Sequence, residues 1–258
     1  NSYLRDFDGR AGVFVIDLTT RKSFGINENA PFVAANSIKL PIITFLYNEI
    51  ATGNLRLTDT MLYDSRPYPE GDMTEGAGFI INEPDGTEFS IRRIAQLAIT
   101  ISDNCAANMA IRKLGGIDKV ASGLDMISST IPYRGEVIYY NFEGIETVGR
   151  HRSSARDLAI YARYLYDLWQ NSPSIYQPLI DDLSETIFAF GINSKLSPDI
   201  QVAHKIGTNL DFGTENDVGI VFADVPFVIC VTTENADRDR GREVIADISL
   251  MVYKFLNE

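Results

Sequence analysis

Short runs of β-branched and aromatic residues lie near both ends of the chain. Residues 12–17 read Gly-Val-Phe-Val-Ile-Asp, which predicts a strand, and residues 22–25 are a candidate hairpin partner. Three further strands are predicted over residues 202–206, 217–222 and 227–233. A sheet built from these segments takes its strands from both ends of the chain, which favours an antiparallel arrangement.

Apolar residues with helical spacing occupy most of the chain between these strands. In one such segment they recur at Ile94, Leu97, Ala98 and Ile101, the spacing that places side chains on one helical face. Helices are predicted over residues 36–50, 90–102, 104–114, 117–128, 154–169 and 243–256. Residues 63–87 are rich in Gly, Pro, Asp and Glu and are predicted to be a loop or short helix, and residues 130–152 lack this spacing and are predicted to be a long loop. A loop as long as the second is usually functional in a compact domain.

The predicted fold is of the α/β class in its α+β form, with an antiparallel sheet, flanking helices and an all-helical subdomain. The 258 residues are 45% hydrophobic, which is enough for one large core. We expect one domain over residues 1–258, with an α/β part formed by residues 1–35 and 187–258. The helical subdomain is expected over residues 36–186.

The composition argues against several classes of function. The chain has 23 basic and 35 acidic residues and a net charge of −12, which argues against binding nucleic acid or an anionic membrane through the overall field. Cys105 and Cys230 lie in apolar stretches and are expected to be buried thiols. His151 and His204 have no partner at metal-ligand spacing, so no metal site is expected. No apolar run approaches the ~20 residues of a membrane span.

Four short motifs follow one another along the chain. They are Asn36-Ser37-Ile38-Lys39, Ser102-Asp103-Asn104, Arg134-Gly135-Glu136 and Lys205-Ile206-Gly207-Thr208. Residues three apart on a helix share a face, so position 36 is expected to face the Lys39 amine. Each motif alone also has a structural interpretation. Ser, Asp and Asn are favoured helix N-caps, and a loop glutamate is often simply solvated.

Taken together, the motifs resemble those of class A β-lactamases and their penicillin-recognising relatives, over nearly the whole chain. That family carries S-x-x-K, S-D-N and K-T-G, with a glutamate between the last two. The resemblance implies acyl transfer to a serine without a metal or organic cofactor. It implies that Lys39 activates the nucleophile, that Ser102 shuttles a proton to the leaving nitrogen, and that Asn104 binds the substrate amide.

The resemblance also implies roles for residues of the long loop and of the last motif. Glu136 matches the glutamate that activates water for hydrolysis of the acyl-enzyme, and Arg134 matches the loop arginine. The family has an asparagine four residues after that glutamate, where this chain has Tyr140 followed by Asn141. Asn141 is therefore the candidate for the substrate-binding asparagine. Two rival carboxylates, Glu143 and Glu146, lie in the same loop.

In the last motif, Lys205, Gly207 and Thr208 match the substrate-binding edge of the cleft. The family's lysine and the hydroxyl after it hold the substrate carboxylate, but here the hydroxyl position is Ile206. One lost hydrogen bond to a charged group costs roughly 1.5–3 kcal/mol. Thr208 can replace part of it, so carboxylate recognition is expected to be weaker or differently arranged. The oxyanion donors would be the backbone N–H groups of Thr208 and residue 36.

The main departure from the family is Asn36, which stands where the nucleophilic serine is expected. The amide nitrogen of asparagine is a poor nucleophile, because its lone pair is delocalised. Ser37 lies two residues before Lys39, and residues two apart on a helix do not face each other. This chain is therefore expected to be an inactive or strongly impaired β-lactamase-like hydrolase.

Two other functions remain open at this point, a non-catalytic protein that binds β-lactams or cell-wall fragments and a related serine peptidase or esterase. The expected partner is a small β-lactam or a cell-wall peptide. The chain is expected to act as a monomer that is secreted, periplasmic or on the cell surface. It starts at Asn1 rather than methionine, which fits an upstream segment that has been removed.

Overall fold

The computed structural model describes residues 2–133 and 151–258. Its strands are β1 (Arg10–Asp17), β2 (Ser23–Ile26), β3 (Phe32–Val33), β4 (Thr60–Leu62), β5 (Glu88–Ser90), β6 (Arg152–Ser153), β7 (Gln201–Asn209), β8 (Thr214–Phe222) and β9 (Phe227–Glu234). Its α-helices are α1 (Lys39–Ala51), α2 (Ile91–Thr100), α3 (Asn104–Lys113), α4 (Ile117–Ile127), α5 (Ala155–Asn171), α6 (Pro173–Ser184) and α7 (Arg238–Asn257).

The main sheet has five strands in the order β2-β1-β9-β8-β7. Every neighbouring pair is antiparallel, and β1 from the start of the chain lies against β9 near its end, with Val13 opposite Val231. This confirms the predicted antiparallel sheet built from both chain ends. Short pairs of strands, β3 with β6 and β4 with β5, lie outside it.

The two faces of the main sheet pack against different helices. Phe14 and Cys230 join the buried cluster that includes α1, α2, α3 and α5, whereas Val15 and Val231 join a second cluster with α7. This follows from the alternation of side chains along a strand. Both cysteines are buried free thiols, as expected. Because the first cluster contains residues of the sheet and of the helices, the subdomain limits at residues 35 and 187 stay a prediction.

The α6 helix was not predicted. Pro173 occupies its first turn, where proline is tolerated, but Pro178 lies inside it, where proline removes a backbone hydrogen bond. Tertiary packing stabilises the helix, because Leu179, Ile180 and Leu183 are buried in the core. The α7 helix also begins five residues before its predicted start, since Asp237 caps its first turn.

A 3₁₀ turn, Ala35–Ile38, precedes α1, so the predicted single helix from residue 36 is a turn followed by a helix. This turn packs against β7 at Gly207. A Cβ atom added to Gly207 would lie 2.7 Å from both the Ala34 carbonyl oxygen and the Ser37 nitrogen. Only glycine permits this close approach, which brings the edge of the sheet to the start of α1.

Asp103 fixes the junction between α2 and α3. One carboxylate oxygen accepts a hydrogen bond from the Ala106 N–H at 2.9 Å and thereby caps α3. The other accepts from the N–H groups of Phe79 and Ile80 at 2.8 and 3.0 Å. The carboxylate is fully buried, so it joins the preceding loop to the helix that carries the second motif.

No described helix is both long enough and apolar enough to cross a membrane.

Replacing Asp103 by alanine is expected to lower the free energy of unfolding by about 4 kcal/mol, because a helix cap is lost and buried N–H groups are left unpaired. Urea unfolding measures this change. The matched control is Asp237→Ala. That exposed carboxylate caps α7 through the N–H groups of Asp239 and Arg240, and its loss should cost only about 1 kcal/mol. Equal losses in the two variants would contradict the joining role of Asp103.

Candidate active site

Lys39 is the first residue of α1, and its side chain is completely buried. Its amine donates hydrogen bonds to the Ser102 carbonyl oxygen at 2.6 Å and to Asn104 Oδ1 at 2.5 Å, and lies 3.5 Å from Ser102 Oγ. Burial lowers the pKa of this amine well below its usual value, and the positive charge of Lys205 lowers it further. A lowered pKa favours the neutral amine, which is the form that can accept a proton in general-base catalysis.

Lys205 approaches the same serine from β7. Its buried amine donates to Ser102 Oγ at 2.9 Å and to the Ile206 carbonyl oxygen at 3.2 Å. Burial lowers the pKa of Lys205 to about 7, although the charge of Asp217 opposes the shift. The Phe188 ring centroid lies 5.6 Å from the amine. The Ser102 hydroxyl therefore lies between two buried amines, where it can pass a proton from one group to another.

An unusual backbone conformation fixes Ser102, and hydrogen bonds fix the side chain of Asn104. Ser102 has φ of 60°, the left-handed region that non-glycine residues rarely adopt. Asn104 begins α3, and its side-chain nitrogen donates to the Glu75 carbonyl oxygen at 2.8 Å. A Cβ atom on Gly76 would lie 2.5 Å from that nitrogen. Both ends of the Asn104 amide are thus bonded within the protein, one to Lys39 and one to the backbone.

Asn36 lies within the 3₁₀ turn that precedes Lys39. Its side-chain oxygen is buried and has no hydrogen-bond partner among residues 2–133 and 151–258. A Cβ atom on Gly207 would lie 3.0 Å from its backbone nitrogen, so residue 36 lies directly against β7. The residue before it, Ala35, has φ of 47°. Such strain often accompanies functional positions.

The hydroxyl of Ser37 is not free. It is fully buried and donates to the Ala34 carbonyl oxygen at 2.6 Å. The same oxygen, together with that of Val33, accepts a hydrogen bond from the Asn216 side chain on β8. Sequence reasoning missed Asn216, which anchors the chain just before position 36.

One face of β7 carries both Ile206 and Thr208. Ile206 is buried, whereas Thr208 is partly exposed. The Thr208 hydroxyl donates to Glu215 Oε2 at 2.9 Å. Glu215 lies opposite Thr208 on β8 and was not identified from the sequence. Lys205, Gly207 and Thr208 follow one another on this edge strand, and Gly207 lies against Asn36; their roles in binding substrate stay a prediction.

The predictions for the long loop lie outside the described residues. They concern Arg134, Glu136, Tyr140, Asn141, Glu143 and Glu146. Tyr133 and His151, the described residues that border this segment, are in edge-to-face contact with ring centroids 4.3 Å apart. Among the described residues, no group of three or more His, Cys, Asp or Glu side chains is placed to hold a metal ion.

Comparison of the sequence with known proteins finds β-lactamases that match nearly the whole chain. Residues 1–256 match the model of Beta-lactamase2, a beta-lactamase enzyme family. A β-lactamase of Bacillus licheniformis is 25% identical over 97% of this chain and 80% of its own length. The β-lactamase VEB-1 of Pseudomonas aeruginosa is 23% identical over 98% of this chain and 87% of its own.

Solved structures are similar over nearly the whole chain. PBP-A has a TM-score of 0.83 at 23% identity, covering 98% of this chain and 92% of that one. A variant of PBP-A, described as an acyl-enzyme complex with penicillin G, has a TM-score of 0.81 at 24% identity, covering 97% and 91%. The β-lactamase of Sphaerobacter thermophilus has a TM-score of 0.83 at 22% identity, covering 99% and 94%. These likenesses confirm the predicted fold.

The lowered pKa of Lys205 predicts how stability depends on pH. Below about pH 7 the amine is protonated in both the folded and the unfolded chain. Between about pH 7 and its usual pKa of 10.5, the unfolded chain binds more protons, so Lys205 makes stability rise with pH. From about pH 6 to about pH 9, the wild-type protein should therefore gain about 2–3 kcal/mol relative to Lys205→Met.

Urea unfolding at the two pH values measures this difference. Lys254→Met, on the exposed face of α7, controls for the loss of one positive charge. A parallel pH dependence in the wild-type protein and Lys205→Met would contradict the burial of a cation at position 205.

Proposed function

Because this chain belongs to the β-lactamase enzyme family, we propose that its cleft is a class A-type acyl-transfer site without a functional nucleophile. The observation that carries the proposal is the chain of hydrogen bonds from Lys39 through Ser102 to Lys205, next to position 36. Burying two amines around one hydroxyl is costly. Proton transfer at an adjacent acyl centre gives this arrangement a chemical use.

With a serine at position 36, the reaction would proceed as follows. The neutral Lys39 amine takes the proton of the serine hydroxyl, and the serine oxygen attacks the acyl carbon. The backbone N–H groups of residues 36 and 208 stabilise the oxyanion. Ser102 then passes a proton to the leaving nitrogen. The lowered pKa of Lys39 and the contact of Gly207 with residue 36 support these roles.

With Asn36 in place, the first step is blocked, because the side-chain amide is not nucleophilic. The Ser37 hydroxyl does not offer a substitute, since it donates to Ala34. Loss of the nucleophile lowers turnover about 10⁶-fold in the best-studied serine hydrolase. We therefore propose that the chain binds acyl ligands but forms no normal acyl-enzyme.

The decisive experiment is the replacement of Asn36 by serine. Intact-mass measurement after incubation with penicillin G should show no adduct on the wild-type chain and, at early times, a transient adduct on Asn36→Ser that disappears as the acyl group is hydrolysed. Hydrolysis of a chromogenic cephalosporin should appear in the same variant. Asn36→Ala is the matched control and should stay inactive, because it removes the amide without adding a hydroxyl.

Two results would contradict the proposal. An adduct on Ser37 of the wild-type chain would show that a nucleophile is present after all. Absence of both adduct and hydrolysis in folded Asn36→Ser would show that the remaining groups do not support acyl transfer.

We also propose that Glu136 activates the hydrolytic water. In the Asn36→Ser background, Glu136→Gln should leave adduct formation intact and slow its release by at least about 100-fold, the usual scale of general-base catalysis. Time-resolved intact mass measures the release. The matched controls are Glu143→Gln and Glu146→Gln, which should release the adduct at the parent rate. If one of these slows release instead, that residue is the base.

The second candidate function is a non-catalytic protein that binds β-lactams or peptidoglycan fragments. Asn36, Ile206 and the bond between Thr208 and Glu215 favour it, because each changes a group that the family uses. Reversible calorimetric binding by the wild-type chain, with no reaction in Asn36→Ser, would select it. A panel of peptide and ester substrates on Asn36→Ser separates the third candidate, a serine peptidase or esterase.

The remaining proposals concern the ligand, the oligomeric state, the location and the internal division of the chain. We propose that the partner is a small β-lactam or cell-wall peptide, and that the chain acts as a monomer outside the cytoplasm. We also propose the division into an α/β part and a helical part; α7 supports it, because this helix packs on the opposite face of the sheet from the helices around α1.

A further inference from the structure

Lys39 and Lys205 form a pair of buried amines whose hydrogen-bond partners carry no charge. Both side chains are almost completely buried. Among the described residues, the groups bonded to the two amines are the Ser102 and Ile206 carbonyl oxygens, the Asn104 amide and the Ser102 hydroxyl. A buried cation without an opposite charge is costly, and an amine avoids this cost by giving up its proton.

The carboxylate on the neighbouring strand does not contact Lys205. Asp217 of β8 lies opposite Ile206, so its side chain is on the other face of the sheet from Lys205. There it accepts a hydrogen bond from the Ile192 N–H at 2.8 Å and lies 2.8 Å from His204 Nδ1. Burial lowers the pKa of Lys205 to about 7, and the charge of Asp217, acting across the sheet, opposes this shift only in part.

Three titratable groups lie on the helix side of Lys205. The Asp103 carboxylate is bonded to three backbone N–H groups, and burial raises the pKa of the Cys105 thiol, which keeps it neutral. Burial and the charge of Lys205 lower the pKa of Lys39 well below its usual value. Lys205 is therefore the amine of the pair that changes charge near neutral pH.

We infer that binding of a ligand carboxylate at this site is coupled to the uptake of one proton by Lys205, so that affinity for anionic ligands falls as the pH rises above neutral. The inference rests on the proposed function, because it takes Lys205 as the residue that holds the ligand carboxylate. The carboxylate supplies the opposite charge that the buried amine lacks among the described residues, and so stabilises its ammonium form. The proton comes from solvent.

The size of the effect follows from the charge of Lys205 before and after binding. In the free chain the amine is mostly protonated at about pH 6 and mostly neutral at about pH 8, on either side of its pKa of about 7. In the complex it is protonated at both. Binding therefore takes up ~0.1 proton at about pH 6 and ~0.9 proton at about pH 8, and affinity for the anion falls about tenfold between them.

The test is calorimetric titration of penicillin G and of its methyl ester into the wild-type chain, in two buffers of different ionisation enthalpy at each pH. The dependence of the measured enthalpy on the buffer gives the number of protons taken up. Penicillin G should show the rise in uptake and the tenfold loss of affinity. The ester has no charge at that end, so its uptake should stay below about 0.2 proton and its affinity within about twofold.

Variants at position 205 identify the group that takes up the proton. Lys205→Arg keeps the charge over this range, so its affinity for penicillin G should not depend on pH and its binding should take up no proton. Lys205→Met cannot take up a proton and should likewise show no uptake. The matched control is Lys254→Met, which removes an exposed lysine of α7 and should keep the wild-type uptake.

Three results would overturn the inference. They are uptake below about 0.2 proton with penicillin G at about pH 8, equal uptake with the ester, and uptake that persists in folded Lys205→Met. None of them concerns position 36, so the proposed acyl-transfer site is judged separately by the adduct of Asn36→Ser. If penicillin G does not bind to the wild-type chain, the inference fails, and that adduct decides whether the proposed site fails with it.

Discussion

The arrangement of the site depends on placing two lysine amines around a single serine hydroxyl in the protein interior. Lys39 and Lys205 are both buried, and both have lowered pKa values because burial penalises their charge. Isolated buried charges are costly unless they are paired or neutralised. Here the amines are satisfied by the Ser102 and Ile206 carbonyls, the Asn104 amide and the Ser102 hydroxyl. These partners come from the start of α3, the preceding turn and an edge strand, so the two amines tie the sheet to the helices.

The backbone conformation allows the two lysine amines and the Ser102 hydroxyl to lie close together. Gly207 lets β7 lie directly against the turn that carries Asn36, and Asp103 holds the α2–α3 junction through three backbone N–H groups. Ala35 and Ser102 adopt left-handed conformations, which cost of order 1–3 kcal/mol each. Such costs persist only where the surrounding structure fixes the geometry. Here they occur at the two turns that bring positions 36 and 102 to the lysines.

Local patterns in the sequence predicted the five strands of the main sheet and most helices, because side-chain periodicity is a local property, but they missed the short strands β3 to β6. They did not predict α6, since Pro178 argues against a helix and only tertiary packing overrides it. They also missed Glu215 and Phe188. Glu215 meets Thr208 through the pairing of β7 with β8, and Phe188 meets Lys205 across a segment without periodicity. The roles of Glu136 and Asn141 stay predictions, because they rest on the motif resemblance and lie outside the described residues.

The departures from the family motifs at positions 36 and 206 concern two separable parts of the proposed site. Under the proposed function, Asn36 removes the nucleophile of the chemical step, whereas Ile206 removes a hydroxyl from the end of the cleft that would hold a carboxylate. Loss of the nucleophile alone does not explain Ile206, because a carboxylate site needs no nucleophile. Conversely, a changed ligand end gives no reason to remove a serine beside Lys39. The buried amines still carry their desolvation cost, which a site without acyl chemistry does not require. The two buried lysines therefore support the proposed acyl-transfer site, whereas Ile206 bears only on how the β7 end of that site would hold a ligand.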